Sequence, residues 1–220
     1  NELIINEASQ VWKWQHFAYT RSGYYQMIKN GLEKGLRIDT VGMQYHVFVP
    51  QEEEKNNVTD MYDPKVIFEV MDTYEKLGKP LQITEITIPA YSDSAEDEAI
   101  QAELIERLYS IWFSHKAVEA IIYWNLTDGY AAFAPQGDMT AGENIYRGGL
   151  LRFDMSKKPA YEMIHHLFNE RWITNTETET DNVGVAKFKG FYGDYELTIG
   201  DKKFDVSLKS NVENEIEIQL

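Results

Sequence analysis

The chain is 220 residues long with 43% hydrophobic and 13% aromatic residues, enough for one cored domain or one plus a small extra. It carries 36 acidic against 21 basic side chains, a formal charge of −15 without a basic cluster, which argues against nucleic acid and against an anionic membrane surface. There is no cysteine, which excludes disulfides, thiolate catalysis and cysteine-based zinc sites; no apolar run approaches the roughly 20 residues of a membrane span, and the first residues show no signal-peptide pattern.

Residues 3–6 read as a short strand running into Asn6-Glu7. The chain enters this strand almost at once and without an initiator Met, so the expectation is that a further N-terminal segment precedes it. Residues 8–17 form a loop rich in aromatics (Trp12, Trp14, His16, Phe17). Tyr24, Tyr25, Ile28 and Leu32 predict a helix over 22–34, stopped by Gly35. A strand over 38–44 leads into Tyr45-His46, and a polar loop over 51–60 carries Glu52, Glu53 and Glu54 as solvated surface. Asp63-Pro64 is an N-cap followed by Pro at the first helical position, opening a helix to about Leu77.

Next comes Leu81-Gln82-Ile83-Thr84-Glu85-Ile86-Thr87-Ile88, an apolar, β-branched run between Pro80 and Pro89 with one carboxylate near its end. An unpaired buried charge is costly. Taken alone, the stretch allows either a water-facing Glu on an edge strand or a functional carboxylate at a strand's C-terminal end. Ser94, followed by Glu96 and Asp97, caps a long helix with its stripe on Ile100, Leu104, Leu108, Ile111 and Trp112. A fourth strand over 120–124 ends in Asn125 and Asp128, and a loop over about 127–154 precedes a helix from Pro159. A loop that long is usually functional.

Four strand–helix repeats are the α/β signature, with parallel strands. They amount to half of an eight-unit (β/α) TIM barrel, and four strands alone leave open edges. From about Ile173 the composition changes to alternating Thr, Asn and Glu, with short strands predicted over 186–188, 195–199, 204–208 and 215–218. The predicted organisation is a barrel half over 1–172 and a small β-sandwich-like, all-β appendage over 173–220.

Polar groups collect at all four strand ends: Asn6 and Glu7, Gln44 and His46, Glu85, then Trp124, Asn125 and Asp128. Each has a structural explanation singly. Together they form a rim of carboxylates, amides, an imidazole and aromatics, which suits binding or hydrolysis of carbohydrate.

These residues carry a resemblance to glycoside hydrolase family 10, the retaining endo-β-1,4-xylanases, in the C-terminal half of its barrel. Ile38-Asp39-Thr40-Val41-Gly42-Met43-Gln44-Tyr45-His46 resembles the sixth-strand motif, and Ile83-Thr84-Glu85-Ile86 the nucleophile motif. Gln101-Ala102 with Tyr123-Trp124-Asn125-Leu126-Thr127-Asp128-Gly129-Tyr130 resembles the seventh helix and eighth strand, and Leu150-Leu151-Arg152-Phe153-Asp154 with Lys158-Pro159-Ala160-Tyr161 the closing segment. The resemblance covers residues 3–172 and implies hydrolysis of xylan through a covalent glycosyl-enzyme, without metal or other cofactor. It implies Glu85 as nucleophile, held ionised and oriented by His46, with Gln44 lining the rim and Trp124 stacking beneath the sugar. Asn6, Asp128, Tyr130 and Arg147 complete the expected substrate-binding set.

The family's acid/base Glu lies on its fourth strand, in a motif ending Asn-Glu. Asn6-Glu7 precedes the Gly42-Met43-Gln44 motif by only one helix, which is the spacing of the fifth strand. Glu7 is therefore rejected as the acid/base, which is expected upstream of Asn1 together with the other half of the barrel. The isolated chain is accordingly expected to be inactive. A Trp frequent after Tyr130 in the family is replaced by Ala131-Ala132, with the loop through Phe133, Asp138 and Tyr146-Arg147 as a candidate substitute. The resemblance further implies an extracellular, cell-surface or periplasmic setting, and xylan or xylo-oligosaccharide as partner. A non-catalytic carbohydrate-binding protein, or a barrel hydrolase of another β-glycan, are the alternatives.

Overall fold

A computed structural model describes residues 1–7, 11–13, 20–209 and 212–219. Trp14, His16 and Phe17 of the expected aromatic loop lie outside them. The chain divides into two compact units, 1–164 and 165–220.

The first unit is built on four parallel strands in the order β1 (Ile4–Ile5), β2 (Thr40–His46), β3 (Leu81–Thr87) and β4 (Val118–Ile121). The helices α1 (Gly23–Glu33), α3 (Pro64–Glu75) and α4 (Ala95–Ser114) connect them. Their ends follow the capping residues. Ser22 accepts from Tyr25 N, Asp63 from Lys65 N with Pro64 behind it, and Ser94 from Asp97 N. Gly35, just past α1, takes φ 79°, the left-handed stop that glycine adopts without steric cost.

Alternation divides the sheet into two faces. Val41, Met43 and Tyr45 from β2 with Val47 just past its end, and Ile83 and Ile86 from β3 with Ile88 just past its end, are fully buried. With them are buried Ile28 of α1, Ile67, Val70 and Met71 of α3, and Ile105 and Trp112 of α4. Tyr45 links the layers, its ring edge-on to Trp12 at 5.2 Å and to Trp112 at 4.9 Å. The opposite face is polar: Thr40, Gly42, Gln44 and His46 beside Gln82, Thr84, Glu85 and Thr87. Among the described residues no helix is long and apolar enough to cross a membrane.

Three expectations need correction. Residues 51–57 are a helix, α2 (Gln51–Asn57), rather than a loop. Its Glu52, Glu53 and Glu54 occupy the first turn, where carboxylates offset the positive helix end. The strand expected over 120–124 ends as ladder at Ile121. Beyond it, Ile122 N still reaches Ile83 O at 2.8 Å and Trp124 N reaches Ile86 O at 2.9 Å. Among the described residues the second unit contains one antiparallel hairpin, β5 (Gly193–Ile199) with β6 (Lys202–Leu208), and its flanking residues 186–188 and 215–218 are not strands. Their two-residue alternation has no neighbouring strand to pair with among the described residues, and alternation alone does not make a ladder. The helix α5 (Pro159–His166) lies between the sheet unit and this hairpin in sequence.

Candidate active site

The site forms at the C-terminal ends of β1, β2 and β3, and an irregularity builds it. Met43 pairs with Ile83, but Gln44 pairs with Glu85, so Thr84 is an extra residue on β3. A bulge of this kind re-aims a side chain. It turns both Thr84 and Glu85 to the polar face and leaves Ile83 and Ile86 on the apolar one.

Glu85, 22% exposed at its side chain, is held by three neighbours. Gln44 Nε2 donates to Oε1 at 2.8 Å, Asn6 Nδ2 donates to the same oxygen at 3.3 Å, and His46 Nε2 lies 3.2 Å from Oε2. A carboxylate only accepts, so Nε2 bears the imidazole proton and Nδ1 accepts from the Thr87 hydroxyl at 2.9 Å. Burial holds the His46 imidazole below its ordinary value, against the opposing pull of Glu85 and Glu143. The ring is also packed, stacked on Phe48 at 4.5 Å and edge-on to Trp124 at 5.9 Å. Asn6 is fixed in turn, its Oδ1 accepting from Thr84 Oγ1 at 2.8 Å and from Glu7 N at 3.0 Å.

Glu7 is placed elsewhere. Burial raises its carboxyl to about 7, with a backbone bond from Val11 working the other way. Its charge acts on Tyr24 and Tyr74, which belong to the helix layer. One buried oxygen, Oε1, has no hydrogen-bond partner among the described residues. Raised carboxyls often mark functional sites, but here desolvation against the helices is a sufficient cause.

Asp128, Arg147 and Tyr130 have partners other than Glu85. Asp128 is buried in an ion pair: Lys158 Nζ lies 3.0 Å from Oδ2, with side chains only 1% and 3% exposed, and Gly149 N donates to Oδ1 at 2.7 Å. Burial pushes Asp128 up and Lys158 down, both toward neutrality. Asp128 thus ties the segment after β4 to the start of α5. Arg147 donates from Nε to Asp93 at 2.9 Å, which anchors the loop after β3. Tyr130 is exposed and stacked on Phe153 at 5.4 Å. Trp124 does reach the rim, through His46.

Two participants were not anticipated. Thr87 sets the His46 tautomer, and Glu143 accepts from Trp124 Nε1 and from Asn125 Nδ2, each at 2.9 Å. The bulge left a trace in the sequence, since Ile83, Ile86 and Ile88 are spaced by three and then two. No local pattern announces Glu143.

For metal, Asp72, Glu75 and His115 bring ligand atoms within 4.8 Å of one another. Ala117 N donates to His115 Nδ1 at 3.2 Å, so the proton sits on Nε2, which faces Asp72 at 3.2 Å. With its lone pair turned to the backbone, His115 serves this cluster as a hydrogen-bond donor.

Comparison with known proteins gives a consistent picture. The family model described as glycosyl hydrolase family 10 matches residues 1–167. Endo-1,4-beta-xylanase B of Thermotoga neapolitana is 30% identical over 154 residues, covering 67% of this chain and 39% of that protein. Anti-sigma-I factor RsgI6 of Acetivibrio thermocellus is 27% identical over 185 residues, covering 81% of this chain and 20% of that one. The crystal structure of native xylanase 10B from Thermotoga maritima aligns with a TM-score of 0.52 at 24% identity, over 77% of this chain and 47% of that one. Xylanase 10B from Thermotoga petrophila RKU-1 in complex with xylobiose aligns at 0.53 and 22% identity, over 77% and 46%. The chain therefore spans less than half the length of these relatives, and its four-stranded sheet is part of a barrel.

Proposed function

The chain belongs to glycosyl hydrolase family 10, and on that premise we propose that it supplies the nucleophile half of a retaining endo-β-1,4-xylanase site. One observation carries the reading: the Glu85 carboxylate is held at a strand end by Gln44, Asn6 and His46, with an indole one ring away. In the proposed reaction a Glu85 oxygen attacks the anomeric carbon as the glycosidic bond breaks. The leaving oxygen takes a proton from an acid on the complementary half of the barrel. Water then cleaves the glycosyl ester, giving its proton back to that group and freeing Glu85. The three donors orient the carboxylate before attack and help it leave in the second step. Xylan as substrate is supported by the relatives named as xylanases and by the neighbour that holds xylobiose.

A 2-deoxy-2-fluoro-xylobiosyl fluoride tests this in the polypeptide as its gene encodes it. A stable adduct on the peptide bearing Glu85 is expected, and Glu85→Ala should lower turnover on xylan by a factor of about 10³ or more. An adduct on another carboxylate, Glu7 included, sinks the assignment. These 220 residues alone should release no reducing sugar from xylan, for want of the acid.

A second reading rests on the rim itself, whose carboxylate, amides, imidazole and indole suit binding a sugar as well as cleaving one. Here the same rim binds the polysaccharide without cleaving it. Glu85→Ala separates the two, since a binder loses affinity only modestly and has no turnover to lose.

A further inference from the structure

The turn Gly142–Tyr146 brings Glu143 back to the end of β4. One of its oxygens, Oε2, takes both the Trp124 indole N–H and the Asn125 amide N–H, each at 2.9 Å. The two donors come from consecutive residues, and the second is under strain. Asn125 has φ 62°, a left-handed conformation that Asn adopts more readily than most residues but still at some cost. A single carboxylate thus holds the aromatic plate and the unusual peptide directly after it.

Glu143 is itself delivered by a braced turn. Asn144, beside it, is 3% exposed, accepts from Ala131 N at 2.9 Å and donates to Asp138 O at 3.0 Å. The turn ends at Arg147, whose guanidinium is fastened to Asp93. On its other side Trp124 meets the His46 ring edge-on, and His46 bonds Glu85. A continuous path of contacts therefore runs from Glu143 through Trp124 and His46 to Glu85.

We propose that Glu143 is a positioning residue for substrate: it locks the rotamer of Trp124, so that the indole face is preset as the platform for the sugar ring next to Glu85. The proposal rests on reading Glu85 and Trp124 as the sugar-facing groups. A charge-assisted bond to an indole N–H fixes the ring about both side-chain torsions, which a face-only contact cannot do. Preset platforms act on binding more than on the chemical step.

The test uses four single variants and one double variant of the polypeptide as its gene encodes it. Trp124→Phe assigns the Trp124 indole N–H signal in a ¹H–¹⁵N spectrum by its disappearance. Glu143→Ala should move that signal and speed its exchange, and should raise KM for xylo-oligosaccharide about tenfold with kcat changed less than about threefold. Glu143→Gln keeps an acceptor oxygen at the same reach and should resemble the parent in both readouts. Glu143→Asp keeps the charge but withdraws the oxygen, and should resemble Glu143→Ala. Added to Trp124→Phe, Glu143→Ala should raise KM no further. An unmoved indole signal in Glu143→Ala overturns the inference. So does a moved signal with unchanged KM, or a Gln variant that fails where the Asp variant succeeds. If the parent has no turnover, xylobiose titration of the indole signal replaces KM. In that case the enzymatic reading has failed while the positioning role is still decided.

Discussion

Two buried carboxyls show how differently the same group behaves in this molecule. Asp128 is paired with Lys158 and hydrogen-bonded on both oxygens, whereas Glu7 meets tyrosines and is raised to about 7. Lys158→Met should leave the Asp128 charge buried and unpaired, which destabilises by about 3–5 kcal/mol; a loss under about 1 kcal/mol in urea unfolding would show that the pair is solvated. Glu7 gives a pH effect whose sign is fixed. Its native value, about 7, lies above the ordinary 4.5, so native protein retains a proton that the unfolded chain has lost. The stability it contributes is present in full below about 4.5 and declines as pH rises through 7. Glu7→Gln should therefore stabilise at pH 8 relative to pH 5 when each is compared with the parent, and parallel stability–pH curves for the two proteins would exclude this role. At this scale the sequence was readable where chemistry sits at strand ends. Asn6, Gln44, His46 and Glu85 converge because each closes a β-strand of one parallel sheet. Asp128 and Arg147 brace loops, through Gly149 and Lys158 and through Asp93, and residue type alone does not announce such long-range bonds.

The strand–helix alternation and the caps at Asp63 and Ser94 were legible from local pattern, since both are local properties of the chain, whereas Ser22 was read as the first residue of its helix and not as its cap. The bulge at Thr84 was not read, because a register shift belongs to a pair of strands and only its trace, the uneven Ile83, Ile86, Ile88 spacing, belongs to one. Glu143 was missed for a related reason: it reaches Trp124 across 19 residues of loop. The helix α2 was missed because a polar surface helix and a polar loop differ little in pattern. The bulge explains why Gly42 is required on β2. A Cβ there would lie 2.8 Å from Asn6 Oδ1, 2.9 Å from Thr84 Cγ2 and 3.0 Å from the Ile5 carbonyl oxygen. A side-chain amide can yield, but a backbone oxygen in the β1–β2 pair cannot yield without moving β1. Gly42→Ala should therefore displace Asn6 from Glu85. It should cost about 1–3 kcal/mol of stability and lower turnover more than it changes KM, since Asn6 acts on the carboxylate rather than on the sugar. Unchanged stability in thermal unfolding would mean that β1 adapts freely.

Among the described residues the sheet has two unpaired sides. The two-residue strand β1 pairs, among these described residues, only with β2, and β4 only with β3. The polar face between them is held together by its own bonds, with Thr40 and Gln82 both donating to Glu119 Oε1 at 3.2 and 2.8 Å. Such a face is suited to a barrel interior, where neighbouring strands cover it, and unpaired edges are templates for further strands. Expressed by itself, this 220-residue chain should therefore self-associate through these edges. Its formal charge of −15 opposes that association, and salt screens the repulsion within about 10 Å at 0.1 M. Association measured by sedimentation velocity should thus grow with protein concentration and also with added sodium chloride. A contact driven by surface ion pairs would weaken with salt instead. A peptide carrying the complementary strands of the barrel should compete with self-association and restore a single discrete species. A chain that stays monomeric at about 100 μM in high salt would show that β1 and β4 are protected edges, and the need for a complementary half would then rest on chemistry alone.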